Sequence, residues 1–292
     1  MTTHAPTAVA HAFTVDVEEY FQVNAFESLV SREQWPEFST RLEVGLLQLL
    51  DLLAERRATG TFFTLGWVAE RHPALIRRIV EGGHEVASHG FWHRRVMTQS
   101  RAQFAEDIRA SRRALEDVIG MPVLGYRAPS FSIIRETEWA LEELAAAGFI
   151  YDSSRFPIRR PGYGSPHVAL DAHVVTTRAG PLLEIPMTVL EVGGYRLPAA
   201  GGGWFRQFPR WVTEQAVAQQ ARRKRSAVFY IHPWELDPEQ PRLPVGRLTR
   251  VRHYRGLDVT ATRIAHLLKR FPFGSIREVY SAQLAALPGR EQ

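Results

Sequence analysis

The sequence predicts an α/β fold in one domain, built on a mostly parallel sheet. Three observations predict it. Short apolar runs alternate with amphipathic stretches along the 292 residues. Their spacing is that of repeated strand–helix units. Nearly every chemically suggestive residue falls at or just after the C-terminal end of a run, where a parallel α/β barrel gathers its site. About seven strands emerge. Periodicity does not say whether they close into a barrel or stay open; the strand-end chemistry favours closure.

Ala12–Val17 reads as a buried strand. Leu42–Arg57 carries apolar residues at 42, 46, 49, 50 and 53, and Thr40-Arg41-Leu42-Glu43 fits a capping box, so this stretch predicts a helix. Gly60–Leu65 is the next strand. Pro73–Gly82 is a short helix ending in Gly82-Gly83, followed by a strand at Glu85–Ser88. Ser100–Ile119 is a long helix closed by Gly120. Gly125–Arg127 ends a short strand, and Thr137–Ala147 is a helix closed by Gly148. Phe149–Asp152 and Leu183–Pro186 are strands. Trp211–Arg225 is a helix, Ala227–His232 a strand, Leu257–Arg270 a helix and Gly274–Val279 a last strand.

Between these elements, residues 152–182, 193–209 and 233–255 read as long loop insertions. Loops of this length in a compact domain are usually functional or disordered, and Tyr163, Tyr195, Trp204, Phe205, Trp234 and Tyr254 favour function. The expected organisation is an N-terminal tail over 1–11, one catalytic domain over 12–284 with a C-terminal extension at 233–284, and a tail over 285–292.

Hydrophobic residues make up 45% and charged residues 23%, ordinary for a globular chain. No run reaches the ~18 apolar residues of a membrane span. The chain has no Cys, which excludes disulfides, thiolate metal sites and Cys nucleophiles. The net charge is +5, and nearly all cations are Arg. Acids are interspersed almost everywhere, so a mixed-sign surface is the better reading and no nucleic-acid partner is expected. Residues 1–11 carry no basic and apolar leader, which makes cytoplasmic residence the expectation. Oligomeric state is left open.

Four constellations carry chemistry. Phe13-Thr14-Val15-Asp16-Val17-Glu18-Glu19-Tyr20 places three carboxylates at a strand end. The period-two rule puts Asp16 and Glu18 on one face, which suits a base beside a metal ligand. In Ser88-His89-Gly90-Phe91-Trp92-His93 the two histidines are four apart and can grip one cation on a helical turn. Two His and one carboxylate with open positions is a catalytic-metal pattern, accepting Zn²⁺, Co²⁺, Ni²⁺, Mn²⁺ or Fe²⁺. Tyr126-Arg127-Ala128-Pro129-Ser130 offers a cation for a buried carboxylate. Phe229-Tyr230-Ile231-His232-Pro233-Trp234 ends a strand in a histidine. Such a residue is more often structural when alone, and a good general acid beside a metal.

The order Asp-x-Glu, His-x-x-x-His, Arg-x-Pro, strand-His resembles the polysaccharide deacetylases of carbohydrate esterase family four over roughly residues 12–280. The resemblance implies a distorted (β/α)₇ barrel, with Asp16 as catalytic base, His89 and His93 as metal ligands, Arg127 orienting the base and His232 as catalytic acid. The family motif usually has two adjacent aspartates. Here Val17 follows Asp16, so the third ligand falls to Glu18, with Glu19 as the fallback. Tyr151-Asp152-Ser153-Ser154, Glu184-Ile185-Pro186, Gly201-Gly202-Gly203-Trp204-Phe205-Arg206 and His232-Pro233-Trp234-Glu235-Leu236-Asp237-Pro238 are similar to the subgroup associated with exopolysaccharide gene clusters and exosortase systems. That likeness implies a divalent metal, commonly zinc, a glycan substrate bearing N-acetyl groups, and work near the inner membrane.

On this reading Ser130 brings a backbone N–H to the oxyanion. Asp152 holds His232 or Arg127 or is a solvated loop acid. Glu184 touches the sugar or supports the site, and Trp204 and Trp234 stack on sugar rings. Two other functions fit the same residues: an allantoinase-like hydrolase of a small cyclic amide, and a catalytically inactive glycan-binding relative.

Overall fold

A computed structural model describes residues 9–160 and 162–288. The first half runs β1 (His11–Val17), α1 (Leu42–Glu55), β2 (Thr61–Thr64), α2 (Gly66–Arg71), α3 (Pro73–Glu81), β3 (Glu85–Ser88), α4 (Arg101–Ile119), β4 (Gly125–Tyr126), α5 (Ala140–Ala146) and β5 (Tyr151–Asp152). There follow β6 (His173–Thr177), β7 (Gly180–Glu184), β8 (Val189–Val192), β9 (Tyr195–Pro198), α6 (Gly202–Gln207) and α7 (Arg210–Arg222). The chain ends with β10 (Val228–Ile231), α8 (Arg247–Tyr254), α9 (Thr260–Arg270), β11 (Phe273–Gly274), α10 (Ile276–Val279) and α11 (Ser281–Ala285).

Seven parallel strands lie in the order β10-β1-β2-β3-β4-β5-β7, with β6 added antiparallel beyond β7 and β11 paired to β1. All seven residues of β1 are buried, as in a parallel strand covered on both faces. The sheet curls strongly. On a flat sheet β1 and β4 would stand about 14 Å apart, three strand spacings. Yet Arg127, just after β4, reaches Asp16 of β1 at 2.7 Å. Among the described residues no ladder joins β7 to β10. Cross-links bridge that gap instead: Val228 N–H donates to Thr188 Oγ1 (2.7 Å) and Tyr230 N–H to Ala200 O (2.8 Å). The seven-stranded barrel is distorted at this seam.

Local chemistry explains where the elements differ from expectation. Gly274–Val279 is not a strand. Pairing stops at Gly274, and Ser275 caps α10, with Glu278 Oε2 accepting the Ser275 N–H at 2.9 Å. Thr40 does not cap α1. Its hydroxyl bonds Glu19, and the Glu19 carboxylate accepts the Arg41 N–H (3.0 Å to Oε2), so a distant glutamate covers the helix start. The three expected loops hold structure: β6 within 152–182, β9 and α6 within 193–209, and α8 within 233–255. Leu287 is buried against the second core cluster, so ordered packing runs beyond residue 284. Residues 1–8 and 289–292 of the expected tails lie outside the described residues. Among those described, no helix is long and apolar enough to cross a membrane.

One close approach positions the site. Gly45 in α1 lies against the 3₁₀ turn Pro233–Leu236 that follows β10, and a Cβ there would overlap the Pro233 carbonyl. Arg41 ties the same turn down by a two-pronged bond to Asp237 (2.7 and 2.8 Å).

Candidate metal and catalytic site

The ends of β1, β3, β4 and β10 converge on one open cavity of about 460 Å³ lined by Asp16, Glu18, His89, His93, Ser130, His232 and Trp234, among others. After β1 the chain sends Glu18 inward and Glu19 to the start of α1. The fallback ligand is thus engaged elsewhere, and Glu18 faces the histidines. Ligand atoms of Glu18, His89 and His93 all lie within 4.8 Å of one another, and all three residues are buried.

These residues fit a divalent cation. His89 Nδ1 lies 2.8 Å from the Arg127 carbonyl oxygen, a bond that places its proton on Nδ1 and leaves the Nε2 lone pair for the site. Burial first, and then His93, hold His89 well below the usual histidine range, so the ring is neutral as a ligand must be. Glu18 Oε2 approaches His93 Nε2 at 2.7 Å without hydrogen-bond alignment and has no donor of its own, although it is buried. The other oxygen, Oε1, accepts the Trp234 indole N–H at 3.1 Å. Burial alone would raise the Glu18 carboxyl, but the facing His93, His232 and His89 hold it down to about 2.

The histidine loop is built for this. His93 sits at φ 49°, the left-handed region, a cost of about 1–3 kcal/mol that the surroundings must sustain. Asp107 of α4 sustains it by accepting the Phe91 N–H (2.8 Å) and the Trp92 N–H (3.3 Å), while Arg32 donates to the Trp92 and His93 carbonyls.

Two groups flank Glu18, His89 and His93. Asp16 Oδ1 is held by Arg127 Nη1 at 2.7 Å, which leaves Oδ2 facing the cavity. Arg127 is fully buried and its other donors are spent: Nε on Ser153 O, Nη2 on Ser153 Oγ, and Nη1 also on Thr14 Oγ1. Opposite, His232 Nε2 stands 3.8 Å from Asp16 Oδ2 and 3.7 Å from Glu18 Oε1. Its Nδ1 lies 2.6 Å from Glu235 Oε1. Burial alone would lower His232, but the Glu235 bond and the charges of Glu18, Glu235 and Asp16 raise it to about 9. The imidazole is therefore protonated near neutral pH, with Nε2–H aimed into the cavity.

Glu235 was not singled out from the sequence, nor was its partner Arg206. Arg206 is buried, pairs with Glu235, and donates to the carbonyls of His253 (2.8 Å) and Arg255 (2.6 Å). The signal was present: Glu235 stands three residues after His232, the spacing of a capping box, and the structure forms that box. Asp107 carried a weaker signal, an acid on the buried side of a helix.

The remaining expectations divide. Ser130 lines the cavity with φ 55°. Trp234 lines it too, but its ring stacks on His232 and His253 (centroids 5.1 and 4.2 Å) and its N–H is spent on Glu18, so it orients the site. Trp204 does not line the cavity; it packs on Phe208 under the Arg160 guanidinium. Asp152 and Glu184 are fully buried, which overturns both the solvated acid and the sugar contact. Asp152 bonds neither His232 nor the Arg127 side chain. It fixes Ser154, whose hydroxyl accepts the Ala128 N–H at 2.7 Å. Burial, and then the neighbouring Asp152, push the Glu184 carboxyl well above the usual carboxylate range.

Residues 45–149 match the family model "Polysaccharide deacetylase", and residues 153–281 match "Domain of unknown function (DUF3473)". The chain is 31% identical over 112 residues to a peptidoglycan deacetylase of Helicobacter pylori, covering 38% of this chain and 37% of that one. It is 40% identical over 68 residues to a chitooligosaccharide deacetylase of Sinorhizobium fredii, covering 23% and 32%. The chain thus matches about a third of the length of these relatives. Among solved structures, one assigned as a polysaccharide deacetylase from Mycobacterium smegmatis superposes with TM-score 0.62 at 20% identity, over 99% of this chain and 96% of that one. A family 4 carbohydrate esterase from Streptomyces lividans gives 0.51 at 15% identity, over 93% of each. At these identities the superpositions speak for the fold.

Proposed function

We propose that this chain, whose residues 45–149 match the polysaccharide deacetylase family model, is a metal-dependent hydrolase removing N-acetyl groups from N-acetylhexosamine units of a bacterial exopolysaccharide or its precursor. The observation that carries this reading is the packing of Glu18, His89 and His93 within 4.8 Å, with Asp16 Oδ2 and His232 Nε2 flanking them.

Glu18, His89 and His93 would hold the ion, zinc being the expected one. When bound it supplies Lewis acidity, which polarises an acetamide carbonyl and acidifies water. The chain's own residues do the rest. Asp16 Oδ2 takes the proton of the attacking water, while Arg127 on Oδ1 fixes the carboxylate. His232 Nε2–H protonates the departing sugar nitrogen, a poor leaving group unless protonated. Glu235 on Nδ1 fixes the ring so that Nε2 points at the substrate. Phe131, Tyr163 and Tyr230 give the cavity an apolar wall for the pyranose faces. An open cavity walled by aromatic rings suits an extended glycan better than a small cyclic amide, and the full set of acid, base and ligand donors argues against an inactive relative.

The test is acetate release from N-acetylglucosamine oligomers. Release should stop on chelation and return with Zn²⁺, and Asp16→Asn should bind metal yet lose nearly all turnover. Wild-type turnover in a metal-loaded Asp16→Asn variant would overturn the assignment of the base.

A further inference from the structure

The geometry points to a glycan carrying anionic groups beside its N-acetylhexosamine units, read by Arg252 and the arginines around it on α8. This inference rests on the deacetylase reading and narrows its substrate class.

The first observation is placement. Thr249, Arg252 and His253 line the cavity that holds Glu18, His89, His93 and His232. Their spacing of i, i+3 and i+4 makes them one face of a helix. So α8 is a wall of the site, and Arg252 is an exposed cation on that wall. The second is charge. Between Glu239 and Asp258 the chain carries Arg242, Arg247, Arg250, Arg252 and Arg255 and no acid. All five are exposed, and among the described residues none has a carboxylate partner within 4 Å. Elsewhere the arginines near the site are spent on protein: Arg127 on Asp16, Arg206 on Glu235, Arg41 on Asp237. Like charges this dense repel one another, and Arg247 and Arg250 stand at the unfavourable i, i+3 spacing. An anionic ligand relieves that repulsion; a neutral chain does not.

The third observation is rigidity. Arg206 holds the carbonyls of Arg252, His253 and Arg255 and at the same time pairs with Glu235 behind His232. The last turn of α8 is therefore fixed relative to His232, and a carboxylate or phosphate held by Arg252 sits in register with the general acid. Leu248 and Val251 are also exposed on α8. Two apolar side chains on an eight-residue helix are too little for stable membrane binding, so an anionic glycan is favoured over a lipid surface.

The experiment compares two probes of equal length: a neutral N-acetylglucosamine hexamer, and a hexamer alternating N-acetylglucosamine with glucuronate. Acetate release gives kcat and KM for each, and calorimetry gives binding at about 0.05 and about 0.5 M salt. The expected result is a lower KM for the acidic probe, lost at high salt. Arg252→Gln should raise that KM about tenfold with kcat little changed, as for a charge-assisted bond. The double variant Arg247→Gln/Arg250→Gln should raise it less. Equal kcat/KM for both probes, insensitive to salt, would overturn the inference and leave the deacetylase reading intact. Acetate release from neither probe would overturn the deacetylase reading. Calorimetry then still decides this one: salt-sensitive binding of the acidic probe that weakens in Arg252→Gln supports it, and equal binding of both probes refutes it. Equal binding joined to capture on phosphatidylglycerol vesicles, abolished by Leu248→Ser/Val251→Ser, would reassign α8 to a lipid surface.

Discussion

Glu235 Oε1 lies 2.6 Å from His232 Nδ1, three residues away, and the same carboxylate is paired with the buried Arg206. Burial alone would raise Glu235; Arg206 and His232 hold it down to about 2, so it stays a carboxylate at every working pH. It acts on His232 in two ways. It fixes the tautomer, and it helps to raise the imidazole pKa.

Glu235→Gln keeps a hydrogen-bonding atom near Nδ1 but removes the charge. We expect kcat to fall about 10²-fold, in the range of one general-acid contribution, with KM little changed. The sign of the pH effect follows from the cause: without the carboxylate His232 loses its proton at lower pH, so the alkaline limb of kcat moves to lower pH. Glu235→Asp should restore part of both. A purely structural role would lower activity without moving the limb. Arg206 is left without its carboxylate, so the variant should also unfold more easily, by up to about 3–5 kcal/mol.

The two adjacent glutamates should separate cleanly. Glu18→Gln should abolish metal retention, measured as bound zinc per chain after dialysis, with little loss of stability. Glu19→Gln should keep the metal and lose stability by about 1–2 kcal/mol, because Glu19 covers the exposed N–H groups at the start of α1. The opposite pattern would exchange the two assignments.

This pair also shows how far the sequence could be read. Alternation along β1 placed Asp16 and Glu18 on one face, and that rule depends only on extended backbone continuing to residue 18. Which of two neighbouring acids turns inward depended on what else wanted a carboxylate, and that partner, the start of α1, lies more than twenty residues away. Glu235 and Arg206 were hidden in the same way: a buried ion pair joins segments whose approach no local pattern encodes. Trp204 failed for the converse reason. An aromatic residue in a glycine-rich loop suggests a sugar platform, but Arg160 and Phe208 occupy its ring. The parallel strands were legible because burial on both faces leaves continuous apolar runs. Exposed β6 and β9 alternate weakly and read as loop. At Gly274–Val279 a Ser-x-x-Glu cap outweighed apolar content.

Gly45 offers a test of positioning without touching a polar group. A methyl at this residue meets the Pro233 carbonyl, so Gly45→Ala must push the turn Pro233–Leu236 away from α1. That turn carries Trp234 and Glu235 and follows His232 directly. We expect a loss of about 1–3 kcal/mol in denaturant unfolding, as for an overpacked contact, and a fall in kcat larger than in Gly82→Ala, which meets mainly the far end of the His84 side chain. Unchanged kcat would show that the turn tolerates displacement.

His11 predicts acid sensitivity at a point far along the chain from the site residues of β3 and β4. Its ring is buried against Phe271 and Phe273, and Nδ1 accepts the Ala227 N–H at 3.0 Å, which requires that nitrogen to be unprotonated. Burial lowers its pKa to about 4. In the unfolded chain it titrates near 6.5. The unfolded state therefore binds more protons between these values, and stability falls as pH drops from about 6.5 to about 4, then levels off. The full effect is on the order of 3 kcal/mol, at 1.36 kcal/mol per pH unit. His11→Asn keeps an acceptor for the Ala227 N–H but cannot titrate. Unfolding free energies of the two proteins, measured from pH 7 to pH 4, should converge as pH falls. Parallel curves would mean that His11 carries the same charge folded and unfolded.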